Sequence, residues 1–150
     1  MKDNYVKLLF EVEYDQDEII KENVWAKKMD EDTYQIDNIP FYAYLYACDD
    51  IVNAEETDGQ LKVVKLVKAS GNSTVRLLFE SEEELLLVKK EVESLSMEAE
   101  SMLRNKLLAV NIPNNLSYKE VKNFFDKGEE FKQFEYEEAC ISEKHQLDIK

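Results

Sequence analysis

The hydrophobic period of this chain first changes at Ser81, and that change constrains the fold more than any other feature. Upstream the period is two. Tyr5-Val-Lys-Leu-Leu-Phe-Glu-Val-Glu-Tyr14 puts Val6, Leu8, Phe10, Val12 and Tyr14 on one side, as in a half-buried strand. The polar patch Asp15–Glu18 turns the chain. Val24–Ala26 and Thr33–Ile36 flank Lys27–Asp32, which reads as a hairpin with a charged tip. Phe41–Ala47 and Ile51–Ala54 are expected as short strands around Asp49-Asp50. Asp58-Gly59 suits a type I′ turn, whose two central positions need positive φ, and it leads into a strand over Gln60–Lys68. Ser70–Ser73 turns again, before a strand over Thr74–Phe79.

Downstream the spacing becomes three and four. Ser81-Glu-Glu-Glu84 is a capping box, and its acidic first turn complements the helix dipole. Leu85, Val88, Val92, Leu95, Ala99 and Met102 then form one stripe, which predicts a long helix over Ser81–Met102. Leu107–Ile112 reads as a buried strand. Ser117-Tyr-Lys-Glu120 is a second capping box, with Leu116 and Val121 as its hydrophobic staple. The short helix carrying Val121, Phe124 and Phe125 is expected to stop at Gly128 as its C′ residue. Phe134–Ile141 closes the pattern as a strand.

These elements predict an α+β architecture. A small antiparallel, barrel-like β half is followed by a ferredoxin-like (split βαβ) half, packed as one unit. One domain covers 1–150, with 1–73 mainly β, 74–142 α/β and 143–150 a tail. Thr74–Phe79 is placed to belong to both halves and weld them. A domain of 150 residues buries roughly two-thirds of its unfolded surface, and 44% hydrophobic residues supply the core. Three Gly and two Pro leave no room for a long flexible linker.

Nineteen basic residues against 33 acidic ones give a net charge of −14. Such a chain is repelled by nucleic-acid phosphates and by anionic membranes, which excludes both as expected partners. A basic protein is the natural complement, although solubility alone is the plainer use of such charge. Met1-Lys-Asp-Asn4 leads straight into the first strand without the apolar core of a signal peptide, so a cytoplasmic location is expected. No apolar stretch approaches the length that a bilayer needs.

No constellation predicts catalysis. The single histidine, His145, lies in the polar tail and is expected to be solvated. Cys48 and Cys140 fit no metal or redox spacing and read as two reduced thiols, so neither a metal nor a cofactor is expected. Asp49 and Asp50 are adjacent, so their side chains point apart. Asp30-Glu-Asp32 and Glu55-Glu56 lack the spaced oxygens and the glycine of a calcium loop. Ser70-Gly-Asn-Ser-Thr74 has no lysine in the phosphate-loop position and leads into a strand, so it reads as a turn bonding its own backbone.

In Phe41-Tyr-Ala-Tyr-Leu-Tyr-Ala47, a strand would put Phe41, Ala43, Leu45 and Ala47 on one face and Tyr42, Tyr44 and Tyr46 on the other. The tyrosine stripe is either a cover for the core or an interface anchor.

The chain resembles the bacterial family known as domain of unknown function 4265. The resemblance rests on Trp25, Tyr34-Gln-Ile-Asp-Asn-Ile-Pro-Phe41, Asp49-Asp-Ile-Val52 and Ser70-Gly-Asn-Ser-Thr-Val-Arg76. It implies a small cytoplasmic bacterial domain and carries no activity. The family pattern has glycine where Asp49 stands, which argues against a tight turn here. Small acidic families of this kind are often immunity proteins encoded beside toxins.

The expected function is therefore binding, not catalysis: an immunity (antitoxin-like) protein that neutralises a basic toxin domain, perhaps a nuclease. Asp30, Glu31, Asp32, Asp49, Asp50, Glu55 and Glu56 would steer the partner, while Tyr42, Tyr44 and Tyr46 anchor it. The alternative is a small-molecule-binding regulatory domain, with Ser70, Asn72, Ser73, Thr74 and Arg76 contacting a ligand between the halves.

Overall fold

The computed structural model describes residues 4–15 and 17–150. The expectation of no signal peptide rests partly on residues 1–3, and the first turn includes Gln16; both lie outside the described residues, as does the Tyr14 side chain.

Five strands run as a meander: β1 (Tyr5–Asp15), β2 (Glu18–Lys28), β3 (Thr33–Ile36), β4 (Ile51–Thr57) and β5 (Gln60–Lys68). Consecutive strands pair antiparallel and the sheet closes into a barrel. An odd number of strands makes β1 and β5 run the same way, so the closing pair is parallel. It spans only Leu8↔Leu61 and Leu9↔Lys62. The inward faces of β1, β2 and β4 meet through Leu8, Phe10, Val24, Ala26, Val52 and Ala54, all buried. At Asp58-Gly59 both φ angles are positive, +53° and +80°, as the hairpin requires.

The second half is β6 (Ser73–Leu78), α1 (Glu82–Ser94), β7 (Glu98–Met102), β8 (Leu107–Ile112), α2 (Tyr118–Glu130), β9 (Glu135–Cys140) and a short terminal α3 (Glu143–Asp148). Its sheet order β7-β8-β6-β9, antiparallel throughout, is the ferredoxin-like βαββαβ arrangement. Both long helices cover one face, where Val75, Leu77, Leu85, Val88, Val110 and Phe125 form a second core.

Several sequence expectations need correction. The helix predicted over Ser81–Met102 ends at Ser94. Ser96 N–H reaches Glu93 O at 3.2 Å and Met97 N–H reaches Val92 O at 3.1 Å, the paired bonds of a Schellman motif. Ser96, at φ +71°, takes the left-handed position usually held by glycine, and Met97 is buried against the core containing Val92. Residues Glu98–Met102 then pair in full register with β8. Five ladder positions along an open sheet edge outweigh continuation of the helix.

Phe41–Ala47 is not a strand. The Glu22 carboxylate accepts the N–H groups of Phe41, Tyr42 and Ala43 at 2.7, 3.0 and 2.9 Å, which removes the donors a ladder would use. Leu45 sits at φ +72°. β6 is not a strand shared by both halves, because it belongs to the second sheet alone. It helps to join them through side chains that reach the β3–β4 loop. Arg76 Nη1 donates to Phe41 O at 2.7 Å, Thr74 Oγ1 to Tyr46 O at 3.2 Å and Leu45 N to Ala139 O at 3.0 Å.

Ser81 caps α1 as expected, accepting Glu84 N–H at 3.2 Å. Ser117 makes no side-chain cap; Asp148 of α3 accepts Tyr118 N–H at 3.0 Å in its place. Gly128 lies inside α2, where a Cβ would stand 2.1 Å from Cζ of Phe134. Its smallness serves that close approach and not a helix stop. His145 is not solvated but wholly buried, on the inner side of α3.

Candidate functional site

Asp37, Asn38, Cys48 and Asp49 of the β3–β4 loop face Glu98 and Glu100 of β7 across a cleft of about 200 Å³. Glu98 and Glu100 share a strand face because they are two residues apart. Glu100 is held in place, accepting Ile39 N–H at 2.8 Å and Asn38 Nδ2 at 3.4 Å. Four carboxylates line the cleft and no basic side chain does. Burial, together with Asp49, Glu98, Asp37 and Glu100, pushes the Cys48 thiol up to about 12. That thiol stays protonated and is a poor nucleophile. Among the described residues, no group of three or more His, Cys, Asp or Glu is arranged to hold a metal.

The turn at Asp49 exists despite the missing glycine. Asp49 adopts φ +71°, which aspartate tolerates better than most residues, and its N–H reaches Ile36 O at 2.8 Å. Its carboxylate stays exposed at the cleft rim. Asp50 differs: it is 2% exposed, and its two oxygens accept Ala47 N–H and Ser70 N–H, each at 2.9 Å. Burial raises its pKa. It holds the loop from inside and has no surface to offer a partner.

The Ser70–Arg76 motif is spent in the same way. Ser70 Oγ and Asn72 Nδ2 both donate to Cys48 O, at 2.9 and 3.0 Å, and Asn72 Oδ1 accepts Asn114 N–H. Ser73, Thr74 and Arg76 are buried. Ser70 and Asn72 do line an open cavity of about 380 Å³ at the junction of the halves, with Gln35, Asp49, Ile51 and Lys68.

Of the three tyrosines, only Tyr44 is exposed, at 45%. Tyr46 packs on Phe10 with ring centroids 4.7 Å apart, and Tyr42 donates to Met102 Sδ at 3.5 Å. The strand alternation that would align all three is absent. Asp30, Glu31, Asp32, Glu55 and Glu56 are exposed and come together at one end of the barrel, where Ala54 N–H reaches Asp32 O at 3.2 Å. Glu55 lies four positions beyond Ile51 on β4, a rise of about 13 Å, so this end is separate from the cleft at Asp49. Asp37, Glu98 and Glu100 escaped sequence reasoning. The alternation Glu98-Ala-Glu100 was the available signal, masked by the helical stripe.

Fold and cleft define a class: a small α+β protein in which a five-stranded barrel and a ferredoxin-like layer meet at an anionic cleft. A family model described as domain of unknown function (DUF4265) matches residues 22–136, and the chain belongs to that family. It is similar to a hypothetical protein from Neisseria gonorrhoeae of solved crystal structure, at 28% identity and a TM-score of 0.77, over 91% of this chain and 94% of the other. Among curated proteins, none matches. No helix of the described residues is long and apolar enough to cross a membrane.

Proposed function

We propose that this is an immunity (antitoxin-like) protein of the bacterial cytoplasm, which neutralises a basic toxin domain by direct contact and catalyses nothing itself. The observation that carries this reading is the convergence of Asp37, Asp49, Glu98 and Glu100 without a basic neighbour in the cleft. Uncompensated carboxylates raise the free energy of the unbound protein, and an arginine or lysine from a partner relieves them. Asp30, Glu31, Asp32, Glu55 and Glu56 add a second anionic surface that steers encounter, and Tyr44 offers a ring for anchoring. The test is co-expression with any basic toxin domain found encoded beside this gene. Protection that is lost on combining Asp49→Lys with Glu98→Lys supports the reading; absence of any complex with such a domain overturns it.

The cavity beside Ser70 favours a second reading, a regulatory domain that binds a small polar metabolite between its halves. Thermal-shift screening against nucleotides and metabolites checks it. No stabilisation by any of them removes it.

A further inference from the structure

The barrel closes over two residue pairs and then splits. Beyond Leu9↔Lys62, β1 continues to Asp15 and β5 to Lys68, and no further pair joins them among the described residues. Parallel pairs are the less stable kind, and the odd strand number permits no other at this seam. The divergence leaves a groove of about 270 Å³ walled by Phe10–Glu13 on one side and Val63-Val64 on the other, with the Ala43–Tyr46 loop beside it. Leu45 and Val64 on the same groove are 66% and 51% exposed.

We propose that this seam is a binding slot for an extended segment of the basic partner. The segment would pair its backbone with the open edge of β1, away from Lys65 and Lys68 of β5, and turn alternate apolar side chains toward Phe10, Tyr46 and Val64. Charge selects the occupant. The charged residues lining the groove are Glu11 and Glu13; Glu11 is bridged to Lys62 at 2.9 Å, and Glu13 has no ion pair among the described residues. A second copy of this chain is disfavoured, because pairing two β5 edges would bring together Lys65, Lys68 and the bulges near Val64 and Val67. The slot rests on the immunity reading for the identity of its occupant, and goes beyond it in naming the segment's conformation.

The experiment uses the full chain, isotope-labelled, and three synthetic peptides matched in length to the slot. One alternates lysine and valine, one is the same peptide methylated on alternate backbone nitrogens, and one alternates glutamate and valine. The lysine–valine peptide is expected to shift the amide resonances of Phe10–Glu13 and Val63–Val67 and to slow their hydrogen exchange. The methylated and glutamate peptides should bind at least tenfold more weakly. Val64→Lys, at an exposed site, should weaken the lysine–valine peptide by a similar factor while leaving the spectrum otherwise native. Equal binding by the methylated peptide overturns the slot, as do shifts confined to the Asp30–Asp32 end. If the slot stays empty while a toxin domain binds through Asp49 and Glu98, the slot fails and the immunity reading survives. Slot occupancy with no toxin bound removes the immunity reading alone.

Discussion

Ser73 donates its hydroxyl proton to Nδ1 of His145 across 2.6 Å, in a site where both residues are wholly buried. Ser73 Oγ meanwhile accepts Ser142 N–H at 2.9 Å, which leaves its own proton for the ring. His145 Nε2 faces Pro113 O and Leu116 O, each at 3.1 Å, so that nitrogen carries the imidazole proton. One neutral tautomer thereby ties α3 to β6 and to the loop before α2.

Burial lowers the His145 pKa below its ordinary value of 6.5. The unfolded chain then binds more protons than the folded one below that pH. Stability is full above about 6.5 and falls on acidification, by at most about 1.4 kcal/mol per pH unit for one group. Asp50, whose pKa is raised by burial, acts oppositely, from the ordinary aspartate value of 3.8 upward. Urea melts from pH 7.5 to 5 should show the loss, and His145→Gln should flatten it.

Gly128→Ala should destabilise the protein sharply, because its Cβ would overlap the Phe134 ring. Overpacking of this kind costs about 1–3 kcal/mol, more where the neighbour cannot move. Phe134 is 4% exposed and packed among Phe79, Phe124 and Phe125, so little relief is available. Adding Phe134→Leu should recover part of the loss, which a double-mutant cycle by chemical denaturation would measure.

Glu22→Ala should loosen the β3–β4 loop without unfolding the sheets. It strips the acceptor from three backbone N–H groups, at a cost of about 2–3 kcal/mol. Hydrogen exchange should accelerate at Phe41, Tyr42 and Ala43 while Leu108 and Val110 stay protected. Equal acceleration throughout would mean that the loop is part of the global unfolding unit.

Asp30→Lys with Asp32→Lys should slow association with a basic partner, with a strong salt dependence, because exposed charges are screened beyond about 8–10 Å at moderate ionic strength. Tyr44→Ala should instead speed dissociation, costing about 2 kcal/mol if the ring is a buried anchor in the complex. Glu98→Lys should change folding stability by about 0.5 kcal/mol or less, since the residue is exposed on an edge strand, yet weaken binding through the cleft. Surface plasmon resonance at two salt concentrations separates these effects.

Strands and helices with one dominant period were legible: β1, the Asp58-Gly59 hairpin, the start of α1 and the buried β8. The boundary at Ser94 was not, because Leu95, Ala99 and Met102 continue a helical spacing that also fits an edge strand. The aromatic loop misled for a related reason. Its alternation is real in sequence, but Glu22, some twenty residues upstream, takes the backbone donors. Three of the four cleft carboxylates were invisible, since Asp37 is remote in the chain from Glu98 and Glu100 and meets them only across the junction.

By itself, the sequence determined the two-part α+β plan and the acidic character, because these follow from local period and composition. Tertiary structure alone decided which acids face solvent and which tie down the interior, that Tyr44 stands exposed while Tyr42 and Tyr46 do not, and that His145 is buried. Each of these depends on where a distant backbone group comes to rest. A carboxylate that finds two backbone N–H groups, as Asp50 does, becomes part of the frame; one that finds none, as Asp49 does, stays at the surface.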